Sequence, residues 1–128
     1  MEIRTHREID REISGAPVEV GENFARVILE TKPFMAADER GLVHGGFLFS
    51  AADYAAMLSV NHPNVVLGEA RVRFLKPVTV GEAVEFVARG SGEGKKRSVE
   101  VVGYRNGEEV FKGEFVCFVP SRHVLDRE

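Results

Sequence analysis

Asp53 is the residue whose chemistry first needs a reason. It is the one charged side chain between Gly45 and Asn61, in GGFLFSAADYAAMLSVN, the most apolar stretch of the chain. A carboxylate in such a stretch is costly unless something pairs with it or uses it. An apolar setting raises its pKa toward the range of a general base or nucleophile. Gly45 and Gly46 stand together at the start of the stretch. Paired glycines are poor helix formers, so backbone freedom or the close approach of another group is the reason to have them there. His44 precedes them, either as an orienting group or as a loop histidine without a chemical role. The structural alternative for Asp53 is a helical carboxylate that is satisfied or exposed at an edge.

The bulk properties exclude several function classes. The chain has 128 residues, 44% hydrophobic and 29% charged, which suits a single soluble globular domain, 1–128. A net charge of −3 gives no footprint for nucleic acid. One cysteine, Cys117, forms no internal disulfide and no multi-cysteine zinc site, and it fits a reducing, cytoplasmic compartment. The histidines His6, His44, His62 and His123 have no ligand spacing, so no metal is expected. The apolar run is too short and too rich in small residues for a membrane span, and no targeting segment is visible. The absence of glutamine beside abundant Glu, Lys and Arg leans toward a thermophilic source.

The elements follow from periodicity. Residues 5–14, THREIDREIS, predict a short amphipathic helix with Ile9 and Ile13 on one face. Val18–Val20 and Phe24–Thr31 predict a hairpin, and Lys32-Pro33 ends it. The long helix comes next. The period then changes to two: Val66, Gly68, Ala70, Val72 and Phe74 fall on one face of a strand. Strands over 84–89, 95–105 and 108–120 complete the chain, the last two joined by Asn106-Gly107, which suits a type I′ turn. The tail 121–128 is polar and is expected to fray. A sheet with one face to bury and a helix apolar all round have a simple solution: the sheet curls round the helix, giving an α+β fold.

The motif His44-Gly45-Gly46-x6-Asp53 resembles that of hot-dog-fold acyl-CoA thioesterases of the PaaI-like branch. Asp38-x-x-Gly41-x-x-His44 is similar to the family's approach to the helix, where the first position is usually Asn. Phe74-x-x-Pro77-x-x-x-Gly81-Glu82 resembles its strand-to-turn segment. The resemblance covers roughly residues 15–120. It implies a curved antiparallel sheet wrapped around one long helix, with hydrolysis of acyl-CoA to free acid and CoA and no cofactor beyond the CoA of the substrate. It assigns the Gly45 N–H to polarising the carbonyl, as helix N-terminal amides readily do. Gly46 leaves room for the thioester, and Asp53 is general base or nucleophile. Val65-Val66-Leu67 offers no Ser or Thr to hold the water where many relatives have one, so that role stays unassigned.

Gly45 and Asp53 are eight residues apart, so on a straight helix they are ~12 Å apart. A base acts within roughly 3 Å of its target or through one water. If both are catalytic, each site combines Gly45 of one subunit with Asp53 of another. That requires a homodimer at least, with a dimer of dimers also open. Ser50, Asp53, Tyr54, Met57 and Asn61 share one helical stripe, expected to face the partner, whereas Leu48, Ala51, Ala52 and Ala55 face the sheet. Lys95, Lys96 and Arg97 are the first candidates for the CoA phosphates, and Arg71, Arg73 and Lys76 the second. Asp38 and Tyr54 are further candidates at the substrate. The alternative function is a non-catalytic acyl-CoA-binding module on the same fold. A CoA-dependent lyase or dehalogenating thioesterase, and an interaction protein with a structural Asp53, are further readings.

Overall fold

A computed structural model describes residues 1–126; the last two positions of the tail expected to fray lie outside the described residues. The elements run α1 (Arg11–Ser14), β1 (Ala16–Gly21), β2 (Phe24–Glu30), a 3-10 turn (Pro33–Met35), α2 (Gly45–Val60), β3 (Val66–Phe74), β4 (Ala83–Ser91), β5 (Lys96–Arg105) and β6 (Glu108–Phe118). All six strands form one antiparallel sheet in the order β1-β2-β4-β5-β6-β3. The sheet wraps α2, as the apolar composition of that helix demands. Leu48, Ala51, Ala52 and Ala55 are buried against it together with Val27, Leu29, Val84, Phe86, Val101, Phe111 and Phe115. Their small side chains let the helix lie close to the strands, as expected.

The turns follow from residues that tolerate positive φ. Asn106 and Gly107 sit at φ 50° and 80°, the type I′ conformation their sequence predicts. In the β1–β2 turn the positive φ falls on Asn23 alone, at 55°. Asn61 at φ 51° is the left-handed cap of α2, and its N–H donates to the Met57 carbonyl at 2.8 Å.

Three expectations need correction. The N-terminal helix is not 5–14 but Arg11–Ser14. His6 adopts φ 52°, which interrupts any helix, and Asp10 instead caps a single turn by accepting from the Glu12 N–H at 2.9 Å. Ile13 is exposed rather than sharing a buried face with Ile9. Second, the alternation of β3 is broken by a bulge between Leu67 and Glu69. The ring of Phe118 lies 2.3 Å from where a Cβ on Gly68 would stand. The extra residue switches parity, so Leu67, in place of Val66, packs with Ala70 and Val72 against the core. Phe74, at the strand's end, is half exposed.

Third, the mixed stripe of α2 is not open to a partner. Tyr54, Met57 and Asn61 are buried within the chain itself. Residues 1–14 cover them. The Asn61 side chain accepts from the Arg4 N–H at 2.8 Å and donates to the Glu2 carbonyl at 2.7 Å. The His6 ring packs on Tyr54, and the Ser14 and Ser50 hydroxyls are 2.6 Å apart. The strip of α2 carrying Gly45, Gly46, Phe49 and Asp53 stays partly accessible.

Candidate active site

The helix start is built to leave its amides free. Residues 36–43 are held in an extended approach by an isolated bridge between Ala36 and Val43 and another between Leu42 and Thr79. The His44 N–H donates to the Met35 carbonyl at 2.9 Å, which fixes the residue just before the helix. His44 occupies the N-cap position in an extended conformation, but its side chain makes no capping bond, and the first turn carries no acidic residue. Among the described residues nothing accepts from the Gly45 N–H, so the positive end of α2 stays uncompensated there. The His44 ring lies 3.1 Å from where a Cβ on Gly46 would stand, so a larger residue there would push the ring aside by a few tenths of an ångström.

Phe74 comes within 3.0 Å of the Cβ position of Gly45 and packs edge-on against Phe111. Leu42, Leu48, Phe74, Leu75, Pro77, Val78 and the Lys76 stem line an apolar hollow of about 300 Å³ beside Gly45. Sequence reasoning did not assign Phe74 to the site. Its place at the end of an edge strand, next to the Pro77 break, was the available signal.

Asp38 answers the question its identity raised. Its Oδ1 accepts from the N–H groups of Arg40 at 3.0 Å and Leu42 at 3.1 Å. Only acceptor chemistry is used there, which Asp supplies as well as Asn. The contact shapes the loop that delivers His44.

Asp53 lies two turns along the same strip. Phe49, one turn before it, packs against Phe115 of β6, so Asp53 falls beside Cys117, the next inward residue of that strand. Its Oδ1 is buried and has no hydrogen-bond partner among the described residues. Burial raises its pKa to about 6. Burial, and next the Asp53 charge, push the Cys117 thiol up to about 12, so Cys117 is an inert neighbour rather than a second nucleophile.

The remaining candidates separate. Lys76 stays beside Gly45, its Nζ 2.8 Å from Glu108 Oε2. Arg73 alternates to the outer face, where it lines a cleft with Arg71 and Lys112, away from α2. Lys95, Lys96 and Arg97 lie toward the other end of the helix. Lys96 and Arg97 pair with Phe118 and Cys117, and Arg97 borders the hollow at Asn61. The basic triplet therefore belongs to the Asp53 half of the chain, not the Gly45 half. Tyr54, expected at the substrate, is 1% exposed beneath the N-terminal segment and is withdrawn from the candidate set. Among the described residues no group of three His, Cys, Asp or Glu side chains could hold a metal ion. Among the described residues no helix is long and apolar enough to cross a membrane.

Comparison with known proteins agrees with this geometry. The thioesterase superfamily profile matches residues 40–110, from the loop before His44 to the start of β6. The chain is 57% identical over 116 residues to a protein named methylthioribose-1-phosphate isomerase from Aquifex aeolicus, spanning 90% of this chain and 25% of that one. It is 31% identical over 122 residues to the transcription factor FapR of Shouchella clausii, spanning 88% of this chain and 64% of that one. The chain thus spans a quarter to just under two thirds of the length of these curated relatives. Among solved structures, the uncharacterized protein PH1136 from Pyrococcus horikoshii superposes with a TM-score of 0.96 at 52% identity, covering 98% of both chains. A hypothetical thioesterase with coenzyme A from Streptococcus pneumoniae shares the fold alone, at a TM-score of 0.76 and 19% identity over 84% of this chain and 87% of that one. The chain belongs to the thioesterase superfamily and has its hot-dog fold.

Proposed function

We propose that residues 1–126 act as one hot-dog unit that hydrolyses acyl-CoA thioesters, with each active site shared between two copies of the chain. The single observation that carries this reading is the state of Asp53: half-buried on the partly open strip of α2, unpartnered at Oδ1, and with its pKa raised to about 6 by burial. Such a carboxylate is ionised at neutral pH yet basic enough to accept a proton. The thioesterase family match and the coenzyme A in a structure of the same fold support the substrate class.

In the reaction, the carbonyl oxygen accepts from the Gly45 N–H of one copy. Asp53 of the other copy removes a proton from an attacking water. The tetrahedral oxyanion forms against the helix N-terminus, the C–S bond breaks, and the thiolate takes up a proton, leaving free acid and CoA. Direct attack by the Asp53 carboxylate through an anhydride reaches the same products. His44 orients the loop and the thioester, and Gly46 keeps the approach clear. The hollow at Leu42, Leu48, Phe74 and Val78 takes apolar acyl carbons, with Lys76 at its mouth. Lys95, Lys96 and Arg97 meet the CoA phosphates. Asp38 shapes the delivering loop without touching substrate.

The two ends cannot meet within one chain. Eight residues of helix separate Gly45 from Asp53 by ~12 Å, whereas a base reaches roughly 3 Å or one water further. The edge strand β3 and the half-exposed Phe74 and Leu75 border the open strip, and a second copy docked there would complete two equivalent sites.

A panel of acyl-CoAs with a free-thiol readout tests the activity. Mixing tests the sharing. Gly45→Val and Asp53→Asn are each expected to be inactive. Co-refolded, they should recover about a quarter of wild-type activity, because half the dimers are mixed and each has one intact site. No recovery, or an active monomer, refutes the shared site. A second reading, a non-catalytic acyl-CoA-binding module, is favoured by the relative named as a transcription factor. It predicts saturable acyl-CoA binding with no thiol release by the wild-type chain.

A further inference from the structure

The turn after β3 is held more heavily than its surface position needs. On one side it registers the helix approach. The Val43 N–H donates to the Val78 carbonyl, and the Val80 N–H donates to the Gly41 carbonyl, both at 2.8 Å, around the Leu42–Thr79 bridge. Gly41, Leu42 and Val43 lead directly to His44 and the free Gly45 amide, so the position of that amide is set by where residues 77–80 sit.

On its other side the same turn is held by one guanidinium. Arg105 ends β5, and its side chain is only 17% exposed. Its Nη1 donates to the Pro77 carbonyl and lies 3.4 Å from Glu82 Oε1, while its Nη2 donates to Glu108 Oε1 at 2.6 Å. Glu82 Oε1 in turn accepts from the Thr79 N–H at 2.7 Å and the Thr79 hydroxyl at 3.0 Å. Glu108 also holds Lys76. Arg105 thus addresses the turn at Pro77, through Glu82 at Thr79, and through Glu108 at Lys76. From behind, Thr31 Oγ1 donates to the Glu82 carbonyl at 2.5 Å and accepts from the Gly81 N–H at 3.0 Å.

We propose that Arg105 is a positioning residue for the active site, fixing residues 76–82 so that these in turn fix the loop Gly41–His44 and the direction of the Gly45 N–H. It touches no substrate. The role needs the planar fork of a guanidinium, because one ammonium cannot reach the Pro77 carbonyl and two carboxylates in diverging directions. This proposal rests on the thioesterase reading for its kinetic part only. A misplacement of about 1 Å at a reacting group costs on the order of 100-fold in rate.

The test compares Arg105→Ala with Arg26→Ala. Arg26 makes a similar pair of ion pairs, to Glu19 at 3.0 Å and Glu85 at 2.6 Å, on the outer face of β2, and these partners belong to neither the loop Gly41–His44 nor residues 76–82. Arg105→Ala is expected to lower kcat by about tenfold or more while KM moves less than about twofold, and Arg26→Ala to leave both unchanged. Millimolar guanidinium should restore part of the Arg105→Ala rate and none of the Asp53→Asn rate. Arg105→Lys, should the alanine variant fail to fold, should fall between the two. Hydrogen exchange at the Val43 and Val80 amides should quicken in Arg105→Ala and not in Arg26→Ala. Unchanged exchange at those amides, or equal kinetics in the two alanine variants, overturns the proposal. If the wild-type chain hydrolyses no acyl-CoA, the functional reading fails, and amide exchange alone still decides whether Arg105 sets the loop.

Discussion

Replacing Asp53 by Asn should inactivate the protein and stabilise it at the same time. The shape is kept and the charge is removed. In the folded chain the carboxyl has a pKa of about 6 against an ordinary value of 3.8, because burial disfavours its charged form. The sign follows from linkage. Below 3.8 both folded and unfolded chains carry the proton, and the carboxyl costs nothing. As pH rises through 3.8 the unfolded chain ionises first, so the folded state loses stability relative to it. The loss is complete once pH passes about 6 and is constant above. A shift of about two units corresponds to ~3 kcal/mol as an upper figure. The Asn variant lacks this cost.

Chemical denaturation at pH 4 and pH 8 measures the difference. The wild type and Asp53→Asn should be nearly equal at pH 4. At pH 8 the variant should be more stable by up to ~3 kcal/mol, with Tm higher by on the order of 10 °C. Hydrolysis should fall by about 100-fold to 10,000-fold, the usual contribution of a positioned base. The wild-type kcat/KM should rise with pH and level off above about 6, since the ionised carboxylate is the active form. If Asp53→Asn gains no stability at pH 8, the carboxylate is paired in the assembled protein and is not stored as a reactive base. If it retains wild-type hydrolysis, Asp53 is neither base nor nucleophile.

Replacing Lys95, Lys96 and Arg97 together by Gln should raise KM for acyl-CoA by tenfold or more, yet leave the matching acyl-pantetheine, which has no phosphates, unaffected. Equal effects on both thioesters would remove the triplet from phosphate recognition. Asn61→Ala deletes the left-handed cap and both bonds to residues 2 and 4, so it should cost about 1–2 kcal/mol and speed amide exchange selectively over residues 3–6. Gly107→Ala places a Cβ at φ 80° in the β5–β6 turn and should cost about 1 kcal/mol by denaturation without changing activity.

The identity and order of the elements were legible in the sequence because each rests on local signals. The period of two marks the strands, and Asn106-Gly107 marks its turn. The paired glycines mark the start of α2, and Asn61 follows its last residue as the cap. A helix apolar on every side required a sheet wrapped round it, so the α+β architecture follows from composition. Asp53 was visible as a lone charge in an apolar run, and the helical rise alone separates it from Gly45.

Long-range contacts decided the rest. No local pattern shows that residues 1–14 lie over Tyr54, Met57 and Asn61, since that contact joins segments some fifty residues apart. It moves the accessible strip of α2 by about one residue in phase, from the Tyr54 side to the Gly45–Phe49–Asp53 side. The bulge at Gly68 is likewise a property of the β3–β6 pair and not of β3, because Phe118 of the facing strand occupies the space above the glycine. Asp38 looked like a departure until its two backbone donors were in view. The residues that could do chemistry were therefore set by the sequence, but their directions and surroundings were not. Which face of a helix stays open depends on everything that packs on it, and only the folded chain brings those partners together.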